Sequence, residues 1–452
     1  MRLLIGTTTQ AWVGLLLGLW AATAPLAARQ DSGSLPLDSI GVASADSLHL
    51  DELIDEALAY SPRLVALRAM AEAVEHRVPE SGTPPDPMVS LGAMNLGLPE
   101  FDAGMPASML PSIQLSQTLP FFGKLGLRRE VAETEREAAR ALVQEEEWRV
   151  RLQVSEHFHA LYAMDRILEV HRRTLDLLQD FQSVARSLYA SGTGRQGDVL
   201  RADVEVARMD AEIRRISALR TAQAAQLNAV LDRPGESPVP FPSLPSLPTS
   251  VPTLDTLLAW SLESRPALAR QRLQVERARA SVALADRELW PDFTITAQYG
   301  RRGGPDPRSM GGLMIGASVP VFSGSRQRPR VEAARALERQ ATSQASEVRA
   351  AVESELRTAA ADLDRARRLM GLYRDEILPA ASVNVSSSLA AYRVGEVDFP
   401  TLVDAQLDVD QFEEEYHQLV ADYGAAVARL EAAVGRRLPA PTEPLPAGFL
   451  PE

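Results

Sequence analysis

The sequence predicts a mainly α-helical fold with a small β part, assembled by tandem duplication. Three observations predict it. The first is recurrence: Leu58-Ala59-Tyr60-Ser61-Pro62-Arg63-Leu64 returns as Leu262-Glu263-Ser264-Arg265-Pro266-Ala267-Leu268 at an offset of 204. Asp86-Pro87 returns as Trp290-Pro291 at the same offset, and Tyr189-Ala190-Ser191-Gly192 as Tyr392-Arg393-Val394-Gly395 at 203. Leu119-Pro120-Phe121-Phe122-Gly123 has its counterpart, slightly out of step, in Val319-Pro320-Val321-Phe322-Ser323-Gly324. A repeat of this length is too long for a solenoid and points to two pseudo-equivalent halves of one body. The second observation is composition: Ala, Leu, Glu and Arg abound while aromatics are 5% of the chain, a mixture that favours long helices. The third is that each half contains one region of period-two alternation, the mark of a strand pair.

In chain order, residues 1–28 have the layout of a secretory signal peptide. Arg2 precedes an apolar run from Ala11 to Trp20, and small residues follow from Ala21 to Ala28, with cleavage expected near Ala28. The alternative is an N-terminal membrane anchor, for which the run is short. Residues 29–49 form a leader rich in Ser, Asp and Gly. The first repeat, 50–233, opens with a helical pattern to about Val78 that Pro62 kinks or divides and that Pro79 and the following prolines end. A strand pair falls in 88–119, where Ile113 and Leu115 alternate with Ser112, Gln114 and Ser116, around a loop at 99–111. A 67-residue helix over 124–190 follows, able to reach roughly 100 Å. Val150, Val154, Leu161, Met164, Leu168, Leu175 and Leu178 give it an apolar seam. A turn at 191–197 leads into a return helix near 198–231.

Residues 234–252 hold seven prolines and read as a stiff extended connector outside the core. The second repeat, 253–436, restates the plan: a helix, a strand pair in 292–322 around a loop at 300–312, a long helix over 325–391, a tip at 393–400 and a return helix near 401–435. Leu402, Val409, Phe412, Tyr416, Leu419, Tyr423 and Leu430 form its seam, with Ala405 and Ala426 in the gaps. Residues 437–452 are a tail. In each half the first and last helices together nearly match the long one, so each repeat pairs one full-length helix with two shorter ones stacked end to end.

The net charge of -13 argues against a nucleic-acid partner. With no cysteine, disulfides, thiolate metal sites and a lipidated N-terminal cysteine are excluded. Beyond residue 30 no apolar stretch is long enough for a membrane helix. A membrane-inserted form would therefore use strands, and four are too few to close a barrel. Three copies would supply twelve.

These features resemble the TolC-like outer-membrane efflux proteins. The likeness rests on the duplicated Ser-Pro and Arg-Pro helices, on Gln114-Leu115-Ser116-Gln117-Thr118-Leu119-Pro120-Phe121-Phe122-Gly123-Lys124, and on Gly316-Ala317-Ser318-Val319-Pro320-Val321-Phe322. Its most telling segment is Ala391-Tyr392-Arg393-Val394-Gly395-Glu396-Val397-Asp398-Phe399-Pro400-Thr401-Leu402-Val403-Asp404-Ala405-Gln406. The Phe-Phe-Gly-Lys turn is similar to the heavy-metal efflux branch. The resemblance implies a homotrimer with a shared twelve-stranded barrel in the outer membrane and long coiled-coil helices forming a periplasmic α-barrel. It implies a passive export duct in a tripartite efflux or type I secretion system, with no cofactor, served by a periplasmic adaptor and an inner-membrane pump of the RND or ABC type. The tips, Ser191, Gly192 and Thr193 with Val394, Gly395 and Glu396, are then expected to dock the adaptor. The entrance is expected to be narrowed at Asp404, with Thr401 where well-studied members carry a second acid and Asp198 and Asp408 as further places for the acidic ring. A solvated helix position is the plain alternative for Asp404.

Other candidates divide the same way. His157 and His159 lie two apart on a helix and so face apart, which favours packing or surface positions over a metal pair. Met88, Met94, Met105, Met109, Met310 and Met314 cluster around the strand loops, where apolar packing is expected over a soft-metal path. Arg301, Arg302 and Arg308 make a basic loop that either meets anionic headgroups or is simply solvated. No Ser-His-Asp order, HExxH, GxxxxGK or strand-borne GxGxxG occurs, so nothing supports an enzyme. The rival functions are a periplasmic adaptor with a coiled-coil hairpin and a structural envelope coiled coil. The two equal helical units, each with a strand pair, argue against both.

Overall fold

The computed structural model describes residues 48–94, 109–244, 247–248, 251–302 and 309–439. The expected signal peptide, most of the leader, the centre of the first strand loop with Met105, Arg308, and the tail beyond 439 lie outside the described residues, as do the side chains of Met94, Met109 and Arg302. The first repeat runs α1 (Leu50–Tyr60), α2 (Pro62–Ser81), β1 (Met88–Met94), β2 (Met109–Leu119), α3 (Lys124–Ala190) and α4 (Gln196–Val230). The second runs α5 (Leu254–Ser264), α6 (Pro266–Arg287), β3 (Asp292–Arg302), β4 (Ser309–Ser318), α7 (Gln327–Leu372), a π-helical turn (Tyr373–Ile377), α8 (Leu378–Arg393) and α9 (Phe399–Val434).

Pro62 and Pro266 each stand at the start of a new helix, where the missing N–H costs nothing. The break is supported identically in both halves: Arg68 reaches back to the Leu58 carbonyl at 3.0 Å, and Arg272, its repeat equivalent, to the Leu262 carbonyl. These arginines satisfy carbonyls orphaned by the prolines. Pro79 does not end its helix, contrary to expectation. It sits in the last turn, and α2 continues to Ser81, where the Ser81 and Thr83 hydroxyls bond the Arg77 and Pro79 carbonyls.

The long helix expected over 325–391 is interrupted, unlike its partner α3, which is continuous over 67 residues. Pro379 has no N–H for the carbonyl four residues before it and would clash with that carbonyl. The chain widens by one residue per turn just ahead of the proline, so that the Leu378 N–H bonds the Tyr373 carbonyl.

The connector also departs from expectation. Val239 and Leu247 are buried, one in the cluster of Leu53, Ile54, Val154 and Phe158, the other with Tyr416, Tyr423 and Leu430. Leu48 pairs with it through Leu48 N–H to the Phe241 carbonyl and Ser243 N–H to the Leu48 carbonyl, both 2.9 Å. The start of the tail joins the core too, through Leu438. The connector thus staples the repeats together as well as spanning them.

α3 packs against α1, α2 and α4 of its own repeat and against α6 and α9 of the other. The expected seam residues Leu402, Tyr416, Leu419, Tyr423 and Leu430 of α9 are buried.

The strands form one antiparallel sheet in the order β1-β2-β3-β4. β2 begins at Met109, earlier than the alternation predicts, with its register shifted between Met109 and Ser112 around Pro111. β4 also starts early, because Gly311 and Gly312 hide the period while pairing fully with β3. The register Leu91↔Ile113, Ile113↔Tyr299, Leu115↔Ala297, Ala297↔Leu313 and Ile295↔Ile315 gathers these side chains on one face. Leu91, Ile113, Leu115, Ile295, Tyr299, Leu313 and Ile315 are all exposed there. The opposite face carries Ser90, Ser112, Gln114, Ser116, Thr294, Thr296 and Gln298, with Ser116 and Thr296 hydroxyls 3.2 Å apart, and the register puts the exposed Met88, Met310 and Met314 on this mainly polar face as well, against the expectation of apolar packing. Strands of ten or eleven residues, tilted, span about 25 Å, the apolar thickness of an outer membrane. Among the described residues no helix is long and apolar enough to cross a membrane.

Candidate functional site

The two tips are copies of one motif. Gly192 and Gly395 hold φ of +77° and +78°, the left-handed region that glycine adopts without penalty. Gly192 N–H bonds the Tyr189 carbonyl and Thr193 N–H the Leu188 carbonyl, both at 3.0 Å. In the second tip Gly395 N–H bonds Tyr392 at 3.1 Å and Glu396 N–H bonds Ala391 at 2.9 Å. Both are Schellman closures, which satisfy the last carbonyls of a helix and turn the chain sharply. The Ser191 hydroxyl donates to the Leu188 carbonyl, 2.9 Å, and lies 2.9 Å from the Thr193 hydroxyl. Val394 is 71% exposed, and Glu396 is exposed beside it.

The tips lie side by side. A cleft of about 530 Å³ between them is lined by Leu188, Thr193 and Asp198 from the first and Tyr392, Val394 and Glu396 from the second. Below it Tyr392 meets Phe399 edge-on at 5.4 Å, over Leu178, Phe181, Leu402 and Val403. Burial, then the Asp198 carboxylate, push the Tyr392 phenol upward, so it stays neutral. Asp198 thus lines the tip cleft, one turn or so from the entrance candidates on α9.

The remaining entrance candidates separate. Thr401, Asp404 and Asp408 share the exposed stripe of α9. Thr401 is tied to the helix start, its N–H 3.2 Å from the capping carboxylate of Asp398, which its hydroxyl also bonds. Asp404 meets Arg201 at 3.4 Å, and Arg201 also holds Glu205 at 3.1 Å. Sequence reasoning passed over Arg201 and Glu205, yet the repeat offset pointed to them. At 203, Asp198 corresponds to Thr401, Arg201 to Asp404 and Glu205 to Asp408. One tier of the return helices thus places opposite charges at equivalent positions and joins them.

A second polar group was also missed. His171 on α3 is buried, its Nδ1 3.0 Å from Asp410 and its Nε2 3.9 Å from Glu414. Burial alone would lower its pKa, but the bond and charge of Asp410, with Glu414 and Glu212, hold it above the ordinary value. His157 and His159 do face apart: His157 bonds Gln223 at 2.8 Å, whereas His159 is enclosed and pushed down to about 4 by burial. Among the described residues no group of three or more His, Asp or Glu side chains is arranged to hold a metal.

A profile of the outer membrane efflux proteins matches residues 53–233 and again 257–436. The chain belongs to this family. The two matches cover the two halves of the duplication. Among curated relatives, the cobalt-zinc-cadmium resistance protein CzcC of Cupriavidus metallidurans is 22% identical over 327 residues, 72% of this chain and 76% of that protein. Among solved structures, the outer membrane protein VceC of Vibrio cholerae superposes with a TM-score of 0.74 at 18% identity, covering 86% of this chain and 96% of that one. The open state of the MtrE outer membrane channel of Neisseria gonorrhoeae gives 0.72 at 16%, covering 87% and 90%. The protein is an outer-membrane channel component of an efflux system, with its strands in the membrane and its helices in the periplasm. The family is one of transport channels.

Proposed function

We propose that this chain works as a homotrimer whose subunits share one twelve-stranded barrel, continued in the periplasm by an α-barrel duct. The observation that carries the reading is the sheet: it has a continuous apolar face, and β1 and β4 are both open edges. Unpaired edge N–H and C=O groups are not tolerated in hydrocarbon. Closure by copies of the same sheet satisfies them, and three copies make an even-numbered barrel of ordinary size. The polar face then lines the lumen.

The paired tips, farthest along the helices from the sheet, are the docking points for the hairpins of a periplasmic adaptor, which links the duct to an inner-membrane pump of the RND or ABC type. Thr401, Asp404 and Asp408, with Asp198 nearer the tips, constrict the entrance, and Arg201 tempers the charge at Asp404. The likeness to CzcC supports heavy-metal ions as cargo. Two experiments test this. Cross-linking in native membranes gives a three-chain species; a soluble periplasmic monomer refutes the barrel. Gly395→Trp, placed in open space at the tip, leaves trimer level normal and abolishes export and adaptor pull-down. Wild-type export in that variant removes the tips from the docking site.

A further inference from the structure

At the periplasmic end of the sheet the chain builds a feature that the duct does not require. Phe121 stacks on Trp290 at 5.1 Å, and its N–H bonds Asp292 at 2.8 Å. Lys124, buried at the start of α3, donates to the Trp290 carbonyl and to Asp292, each at 2.8 Å. Beside this knot lies a cleft of about 330 Å³, bordered by Lys124, Arg128, Arg326 and Arg330 and by only two carboxylates, Glu288 and Asp292. Both carboxylates are engaged, Glu288 with Arg330 at 3.4 Å and Asp292 with Lys124. Among the described residues neither Arg128 nor Arg326 has a carboxylate at ion-pair distance. In a chain of net charge -13 this is a local excess of cations.

The rim is apolar. Phe122 is 83% exposed, Val321 and Phe322 are each 73% exposed, and Trp290 is exposed beside them. These side chains flank the ends of β2, β3 and β4, at the level where the helices begin. Cations next to an aromatic and aliphatic rim match a molecule with an anionic head and apolar tails. Given the placement of the strands in the membrane, that level is the inner leaflet of the outer membrane.

We propose that this cleft binds an anionic phospholipid of the inner leaflet, its phosphate held by Arg128 and Arg326 and its acyl chains lying along Val321 and Phe322. The knot of Lys124, Asp292 and Trp290 positions the cleft by locking α3 to β3. The bound lipid fixes the depth of the barrel at the strand-to-helix junction.

The test uses the full-length assembly in detergent and native mass spectrometry of retained lipid, with phosphatidylglycerol and phosphatidylcholine of the same acyl chains as probes. The wild type retains phosphatidylglycerol in preference. R128Q/R326Q loses that preference, by about fivefold per arginine removed, while R128K/R326K keeps most of it. Equal retention of the two lipids by the wild type overturns the proposal, as does unchanged phosphatidylglycerol retention in R128Q/R326Q. Displacement of the lipid by millimolar inorganic phosphate overturns it too, and assigns the cleft to a free anion. If R128Q/R326Q fails to assemble, the wild-type lipid comparison and the lysine variant decide. Loss of binding in R128K/R326K alongside failed assembly of R128Q/R326Q means that the arginines serve a subunit contact, which refutes the lipid site.

Discussion

Gly424→Ala is expected to destabilise the protein although alanine is the better helix former. Gly424 lies in the middle of α9, where the substitution by itself favours the helix by about 1 kcal/mol. A Cβ there would sit 2.3 Å from Cε1 of His159 and 2.5 Å from both ring nitrogens. Carbon atoms in contact stand about 3.5 Å apart, so the ring would have to move by roughly 1 Å. His159 is 2% exposed and abuts Phe158 at 5.5 Å between ring centres, so its one outlet is the cavity of about 270 Å³ that it lines together with Gly424, and turning into it gives up its packed position. Overpacking of this kind costs about 1–3 kcal/mol, and this overlap belongs at the upper end. The net expectation is a loss of about 1–2 kcal/mol, because the ring must leave its packed position, or α3 and α9 must separate, where the repeats meet. The assay is the temperature at which the assembly dissociates on a gel, with helix loss by circular dichroism alongside. His159→Ala alone leaves a cavity and also destabilises. Combined with Gly424→Ala it should be better than the sum of the single changes, by a coupling of about 1 kcal/mol or more. An unchanged or raised midpoint for Gly424→Ala, or strict additivity in the double variant, would refute the reasoning.

Three further outcomes follow from the geometry. Ile113→Asp should impair membrane assembly more than Gln114→Asp, since Ile113 lies on the apolar face and Gln114 on the polar one; a charge at mid-membrane costs about 2–4 kcal/mol for a basic residue and less for an acid, and equal yields of folded protein would mean that the faces are exchanged. His159 and His417 are both pushed down to about 4, chiefly by burial, so the unfolded chain takes up protons first and stability falls as pH drops from about 6.5 through 4, by about 2–3 kcal/mol for each histidine; a flat melting temperature over that range contradicts this. His171 has the opposite sign: its raised pKa contributes stability below about 6.5 that is lost as pH rises through the folded value, and Asp410→Asn should abolish that contribution, which melting curves at pH 6 and pH 8 for both proteins would reveal.

Much of the backbone plan was legible because it depends on local rules. A proline at a fixed place in each half divides a helix, and Pro62 and Pro266 do so in the same way. Glycine after a long helix signals a left-handed cap, and Gly192 and Gly395 supply it. What escaped depends on encounters between distant segments. No local signal marks Val239 and Leu247 as core residues, because their neighbours are prolines and burial is decided by α1, α3 and α9. Pro379 was visible, but whether it would stop the helix or merely widen one turn depends on how firmly α9 holds both sides. At the candidate site, the tip glycines could be found singly, whereas Arg201 acquires meaning only when α4 and α9 lie together.

The pair Arg201 and Asp404 has an evolutionary consequence. The two residues descend from a single ancestral position, since they sit at the repeat offset, and one lineage now carries the cation and the other the anion. Each half has become the counter-ion of its sibling. A chain made of two first halves would set arginine against arginine at this tier, and one made of two second halves would set aspartate against aspartate. As an exposed pair it adds only a few tenths of a kcal/mol to stability. Its larger effect is on heredity: once the charges had diverged, exchanging one half for the other would leave like charges facing each other at this tier.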